Sequence, residues 1–120
     1  VNAVAAHALD FDDNCYAGFV HGSAVIVPAA LAVAQEVDAD GQALLTALVV
    51  GAECQYTLGL ASDNRLYRRG WWSSGILGPI GACAAAAWLL PDFLMERYRS
   101  SRALSIGFRF RSGPRLSSPG

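Results

Sequence analysis

The chain contains no lysine, a single methionine and two histidines among its 120 residues. Every positive side chain is therefore an arginine, and none precedes Arg65. Up to that point all charge is acidic: Asp10, Asp12, Asp13, Glu36, Asp38, Asp40, Glu53 and Asp63. The Arg-rich end carries no recognisable nucleic-acid motif, so nucleic acid is not expected as a partner. Cys15, Cys54 and Cys83 stand far apart with no CxxC pair. That excludes the usual structural zinc motifs and points to buried, reduced thiols in a cytoplasmic protein. The longest nearly apolar run, Gly75 to Leu90, falls short of the roughly 20 residues a bilayer span needs. Glycines and a proline interrupt it, so no membrane span is expected. No charged segment followed by an apolar one opens the chain, so no secretory signal is visible. The first residue is Val1 rather than Met, and the sequence reads as starting inside a longer protein.

What is present is apolar. Hydrophobic residues make up 53% of the chain, enough for a core and too many for disorder. The length fits one small domain or a piece of a larger one. Helical periods dominate. Val1 to Leu9 reads as the end of a helix, and the acidic cluster with Asn14 to Gly22 reads as a loop broken by Gly18. A second helix is predicted from Ser23, as its cap, to about Val37, with Pro28 near the first turn. Asp38 to Gly41 is a turn. A third helix spans about Gln42 to Ala61, with Leu44, Leu45, Leu48, Val49, Ala52, Tyr56 and Leu60 on one broad apolar face. Ser62 to Gly70 is a connector. A fourth helix, capped by Ser73 or Ser74, ends before Pro91. Its alanines give it a narrow surface that another helix can approach closely. Beyond it, 93–104 has helical character, 106–110 alternates like a strand, and the end is Arg-rich and irregular.

Two segments match. His21-Gly22-Ser23 and Trp72-Ser73-Ser74 each place a bulky ring before a serine, with a proline five residues after that serine (Pro28, Pro79) and an Ala-rich run beyond. Asp10-Phe11-Asp12-Asp13 lies just before the first copy. Removing a proton beside a carboxylate and protonating a leaving hydroxyl needs an acid and a base. Asp10 and His21 are such a pair. Helix starts at Ser23 and Ser74 offer N–H groups and the positive dipole end to an anionic substrate.

Ala6-His7-Ala8-Leu9-Asp10-Phe11-Asp12-Asp13, the segment from His21 to Ala32, Gly51-Ala52-Glu53, and Arg69 to Trp72 with Gly78 to Ala82 resemble, in this order, the MmgE/PrpD family. That family includes 2-methylcitrate dehydratase and cis-aconitate decarboxylase. The resemblance covers about residues 1–90 and leaves 91–120 as a divergent tail. It implies an all-α antiparallel helical bundle, a slice of the family's large helical domain. It implies cofactor-independent dehydratase, decarboxylase or isomerase chemistry on a small polycarboxylate such as 2-methylcitrate, and a homodimer for the intact parent. By resemblance Asp10, Asn14 and His21 line the site, with Asp10 and His21 catalytic and no metal ligand among them. Ser23, Ser74 and Trp72 join Asn14 as substrate-binding candidates. There are departures. Asn14 stands where the family has Thr, Trp72 where it has a second His, and Gly22 where it usually has Pro. The family's downstream lysines have no counterpart, so the 120 residues alone are expected to be inactive.

Other readings of the same residues remain. His7 is a packing or capping histidine, and Asp12 and Asp13 satisfy backbone donors in their loop. Trp71 and Trp72 are packing aromatics, and Arg65, Arg68 and Arg69 belong to a solvated connector. His7, Asp10, Asp12, Asp13 and His21 could instead serve a metal-dependent hydrolase, although their spacing matches no ligand motif. A third reading is a non-catalytic remnant, a helical module whose exposed core favours association.

Overall fold

The computed structural model describes residues 1–16 and 18–90. Five helices follow in order: α1 (Asn2–His7), α2 (Ser23–Glu36), α3 (Gly41–Ala61), α4 (Arg65–Arg68) and α5 (Ser73–Leu89). No strand occurs among the described residues; Cys15 and Val20 form one isolated antiparallel bridge in the loop before α2. The all-α expectation therefore holds there. The predictions for 93–104 and 106–110 lie outside the described residues.

Helix α5 packs against both α3 and α2, and α2 also touches α3 and α1. The core is built of small side chains: Ile26, Ala30, Ala34, Ala47, Ala85 and Leu89. The buried stripe of α3 is Ala47, Gly51, Gln55 and Gly59, at intervals of four. The predicted face is thus displaced around the helix. Leu44, Leu48 and Ala52 pack at the edge of the core. Leu45, Val49 and Leu60 are exposed. The reason is close backbone approach. A Cβ on Gly51 would lie 2.8 Å from the Gly81 carbonyl oxygen, and one on Gly81 would lie 2.9 Å from that of Gly51. Two backbones this close leave no room for leucine between them.

The helix starts are held differently from the prediction. Asp40, read only as part of a turn, caps α3, its carboxylate accepting from the Ala43 N–H at 2.7 Å. Ser23, however, is the first residue of α2, not its cap. The capping oxygen comes from Asp13, across the loop. Its Oδ1 accepts from the Ser23 N–H at 2.8 Å and from the Ser23 hydroxyl, and its Oδ2 accepts from the Tyr56 hydroxyl at 2.6 Å. Pro28 consequently falls in the second turn, so the N–H that would bond the Ala24 carbonyl is missing there. Helix α5 begins after Trp72 with no side-chain cap, and Ser73 and Ser74 are buried.

Other expectations change as well. The connector contains the single helical turn α4. The thiols are not buried: Cys15 and Cys54 are half-buried and Cys83 is exposed. Trp71 and Trp72 are mostly exposed, at 60% and 71%, rather than packed in a core. Helix α3, not the Gly75–Leu90 run, is long and apolar enough by length and composition to cross a membrane. It contacts α5 and α2 through one stripe that includes the fully buried Gln55, while only 22% of the apolar window is buried.

Candidate active site

The site forms where the loop after α1 meets the start of α5. Asp10 adopts a left-handed conformation (φ 55°), which an aspartate tolerates better than most residues, and its N–H bonds the His7 carbonyl. This turn swings Asp12 back onto the last residue of α1. The Nδ1 of His7 then lies 2.9 Å from Asp12 Oδ1 and 3.0 Å from Oδ2. His21 approaches the same carboxylate from the far end of the loop, with Nδ1 3.4 Å from Asp12 Oδ2. The two imidazoles lie 5.0 Å apart, centre to centre. Ligand-capable atoms of His7, Asp10, Asp12 and His21 all fall within 4.8 Å of one another.

The Asp12 side chain is only 5% exposed, so the carboxylate is enclosed by its partners. The hydrogen bond to Asp12 holds the His7 pKa above its ordinary value. Burial opposes this, and the charges of Asp12 and Asp10 add to it. The same bond holds Asp12 below the usual carboxylate range. For Asp13, burial pushes the pKa up, but hydrogen bonds from Ser23 and Tyr56 outweigh it and leave it lowered. Burial and the bond to Asp13 raise the Tyr56 phenol well above its ordinary value.

His21 is fixed from behind. Its backbone N–H donates to the Ser74 hydroxyl at 3.0 Å, tying the loop to the first turn of α5. Two cavities meet at this junction. A largely apolar one of about 400 Å³ is bounded by Val4, His7, Val25, Trp72, His21 and Ser74 among others. A smaller one of about 260 Å³ is bounded by Asn14, His21, Trp72, Ser73, Ser74 and Tyr67 among others. The positive end of the α5 dipole borders both. Trp72 reaches them because its ring lies back over Gly75, where a Cβ would come within 2.6 Å of it.

Of the residues singled out in the sequence, His21, Asn14, Trp72 and Ser74 therefore share one junction, and Asp10 stands beside it. Ser23 does not. Its N–H and hydroxyl are engaged by Asp13, and it borders a separate groove with Tyr56. Asp13 is likewise turned away from His7 and His21. His7 and Asp12 were read as a packing histidine and a backbone-bonding loop residue, or with Asp10, Asp13 and His21 as metal ligands, and stood outside the catalytic and substrate-binding candidates. Their signal was the spacing of five, which a turn at Asp10 converts into a contact.

Residues 1–116 match the MmgE/PrpD N-terminal domain family. The chain belongs to the MmgE/PrpD family. The match covers nearly the whole chain, including the segment that the ordered motifs left out. Among curated proteins and solved structures nothing matches significantly. Within this MmgE/PrpD domain, Gly22 has a physical reason to depart from proline. A Cβ there would collide with the Tyr56 hydroxyl and lie 3.2 Å from Asp13 Oδ2. Gly22 is what lets Tyr56 reach the carboxylate that caps α2.

Proposed function

We propose that this MmgE/PrpD domain supplies one wall of the active site of a cofactor-independent lyase or isomerase, acting on a small polycarboxylate such as 2-methylcitrate. The observation that carries this reading is the cluster of His7, Asp10, Asp12 and His21, of which His21 borders both cavities at the start of α5 and His7 borders the larger. A carboxylate and an imidazole side by side are the acid and base that dehydration of a hydroxy acid needs. In this reading Asp10 and His21 exchange protons with the substrate. Asp12 favours the protonated form of His7, and His7 with the N-terminus of α5 meets the substrate carboxylates. Asn14, Ser74 and Trp72 shape the pocket. Dehydration, decarboxylation and epimerisation all use this set of groups. The setting is cytoplasmic, and the parent enzyme is a homodimer.

The test is substitution in the enzyme that carries this domain. Asp10→Ala and His21→Ala should each lower kcat by about 10²-fold or more, the usual weight of general acid–base groups. Turnover can be followed by the ultraviolet absorbance of the unsaturated product. Full activity in the double variant would refute the assignment.

A second reading has its own observation. Leu45, Val49 and Leu60 on α3 and Ile80 and Trp88 on α5 are exposed large apolar side chains. They favour a helical association module, whose cohesion rather than catalysis is its role. A cooperative monomer at micromolar concentration in sedimentation equilibrium would count against it.

A further inference from the structure

We propose that His7, Asp12 and His21, with Asp10 on the fourth side, bind a divalent transition-metal ion of the zinc class. Both imidazoles turn the same nitrogen, Nδ1, toward one carboxylate, at 2.9 Å for His7 and 3.4 Å for His21. In a tetrahedral site with metal–ligand bonds of about 2.0–2.1 Å, donor atoms stand about 3.4 Å apart. The His21–Asp12 separation matches that figure; the shorter His7–Asp12 separation is a hydrogen bond that the ion would replace, releasing its proton, and Asp10 brings an oxygen within 4.8 Å of the other ligand atoms.

The second observation is an orphan atom. His21 Nδ1 is shielded from solvent and makes no hydrogen bond; the Asp12 carboxylate lies 3.4 Å from it. A buried ring nitrogen without a partner is costly. A cation between the two residues would satisfy it and complete the charge balance of the carboxylates. Two imidazole nitrogens with carboxylate oxygens suit zinc, cobalt, nickel or copper. Magnesium and calcium prefer oxygen alone.

Local structure places each ligand. His7 ends α1, Asp12 follows the left-handed turn at Asp10, and His21 is anchored through its N–H to Ser74. Asp13, the remaining acid of the loop, is committed to Ser23 and Tyr56. The site rests on this geometry alone and is independent of the proposed reaction. Should that reaction hold, the ion would occupy both imidazoles and act as an inhibitor, since it takes the lone pairs that move protons.

The experiment is a titration of the 120-residue chain with Co²⁺, followed by visible absorption and then by displacement with Zn²⁺. The expected result is one Co²⁺ per chain with the visible bands of a four-coordinate nitrogen and oxygen site. It should show no near-ultraviolet thiolate band, and Zn²⁺ but not excess Mg²⁺ should displace it. Asp12→Asn and His21→Ala should weaken Zn²⁺ binding by about tenfold or more. Because either variant could misfold, ¹⁵N spectra of the histidine rings in the unsubstituted chain give a second readout. Zn²⁺ should shift the Nδ1 resonances of both His7 and His21. Absence of the visible bands at millimolar Co²⁺, a thiolate band from the cysteines, displacement by Mg²⁺, or unmoved histidine resonances would each overturn the proposal.

Discussion

The Nδ1 of His7 lies 2.9 Å from the carboxylate of Asp12, five residues further along the chain. The acidic loop lies folded back onto α1 at this contact, and a second imidazole, that of His21, approaches the same carboxylate at 3.4 Å. The contact also has a measurable pH signature.

His7 should titrate above its ordinary value of 6.5, and Asp12 below its ordinary 3.8. The His7 contribution to stability is complete below the unfolded value and is lost as pH rises through the raised folded value. The Asp12 contribution is present above its unfolded value and is lost as pH falls through the lowered folded value. The pair therefore stabilises most between about pH 4 and 6.5. An NMR titration of the His7 ring should show the upward shift, and Asp12→Asn should return it toward its ordinary value.

Asp13 serves as a long-range cap. Asp13→Ala should cost about 1–2 kcal/mol in urea denaturation, since it strands the first turn of α2 and the Tyr56 hydroxyl together. Tyr56→Phe alone should cost about 1 kcal/mol. The two losses should be less than additive in a double-mutant cycle, because they share one carboxylate.

Gly22 tests the same junction from another side. Gly22→Ala should destabilise by about 1–3 kcal/mol through overpacking against Tyr56. Tyr56→Phe should relieve part of that cost, because the atom nearest the new methyl is the hydroxyl oxygen. An equal penalty in both backgrounds would mean that the collision is relieved elsewhere.

The α3–α5 crossing depends on glycine. Gly51→Ala and Gly81→Ala should each lower stability by about 1–3 kcal/mol, since the new methyl meets backbone rather than a side chain that can move. Gly41→Ala is the control. Nothing lies within 4 Å of its Cβ position, and the change should be neutral or stabilising by up to about 1 kcal/mol.

Helix positions were legible in the sequence because apolar period and turn residues are local signals. Asp40 before α3 and the serine–proline spacing of α2 and α5 are examples. The buried face of α3 was not legible. Leucines at helical spacing draw attention to themselves, whereas the true contact is made by Ala47, Gly51, Gln55 and Gly59, whose value lies in what they lack. Nor was the cap of α2, because Ser23 has the right chemistry locally while Asp13 arrives from ten residues away. In the candidate site, Asp10, Asn14, His21 and Trp72 came from the resemblance of ordered motifs, and Ser74 from its place at a helix start. His7 and Asp12 entered only as possible metal ligands, because their spacing of five becomes a contact only through the left-handed turn at Asp10.

The most direct test of the proposed site is ¹H–¹⁵N NMR of the chain titrated with 2-methylcitrate. Binding at the junction of the α1 loop and α5 predicts saturable shifts at His7, His21, Ser74 and the Trp72 indole, with Ser23 and Leu45 unmoved. Shifts spread evenly over the arginines of α4, or none at all, would contradict a polycarboxylate site at this end of the domain.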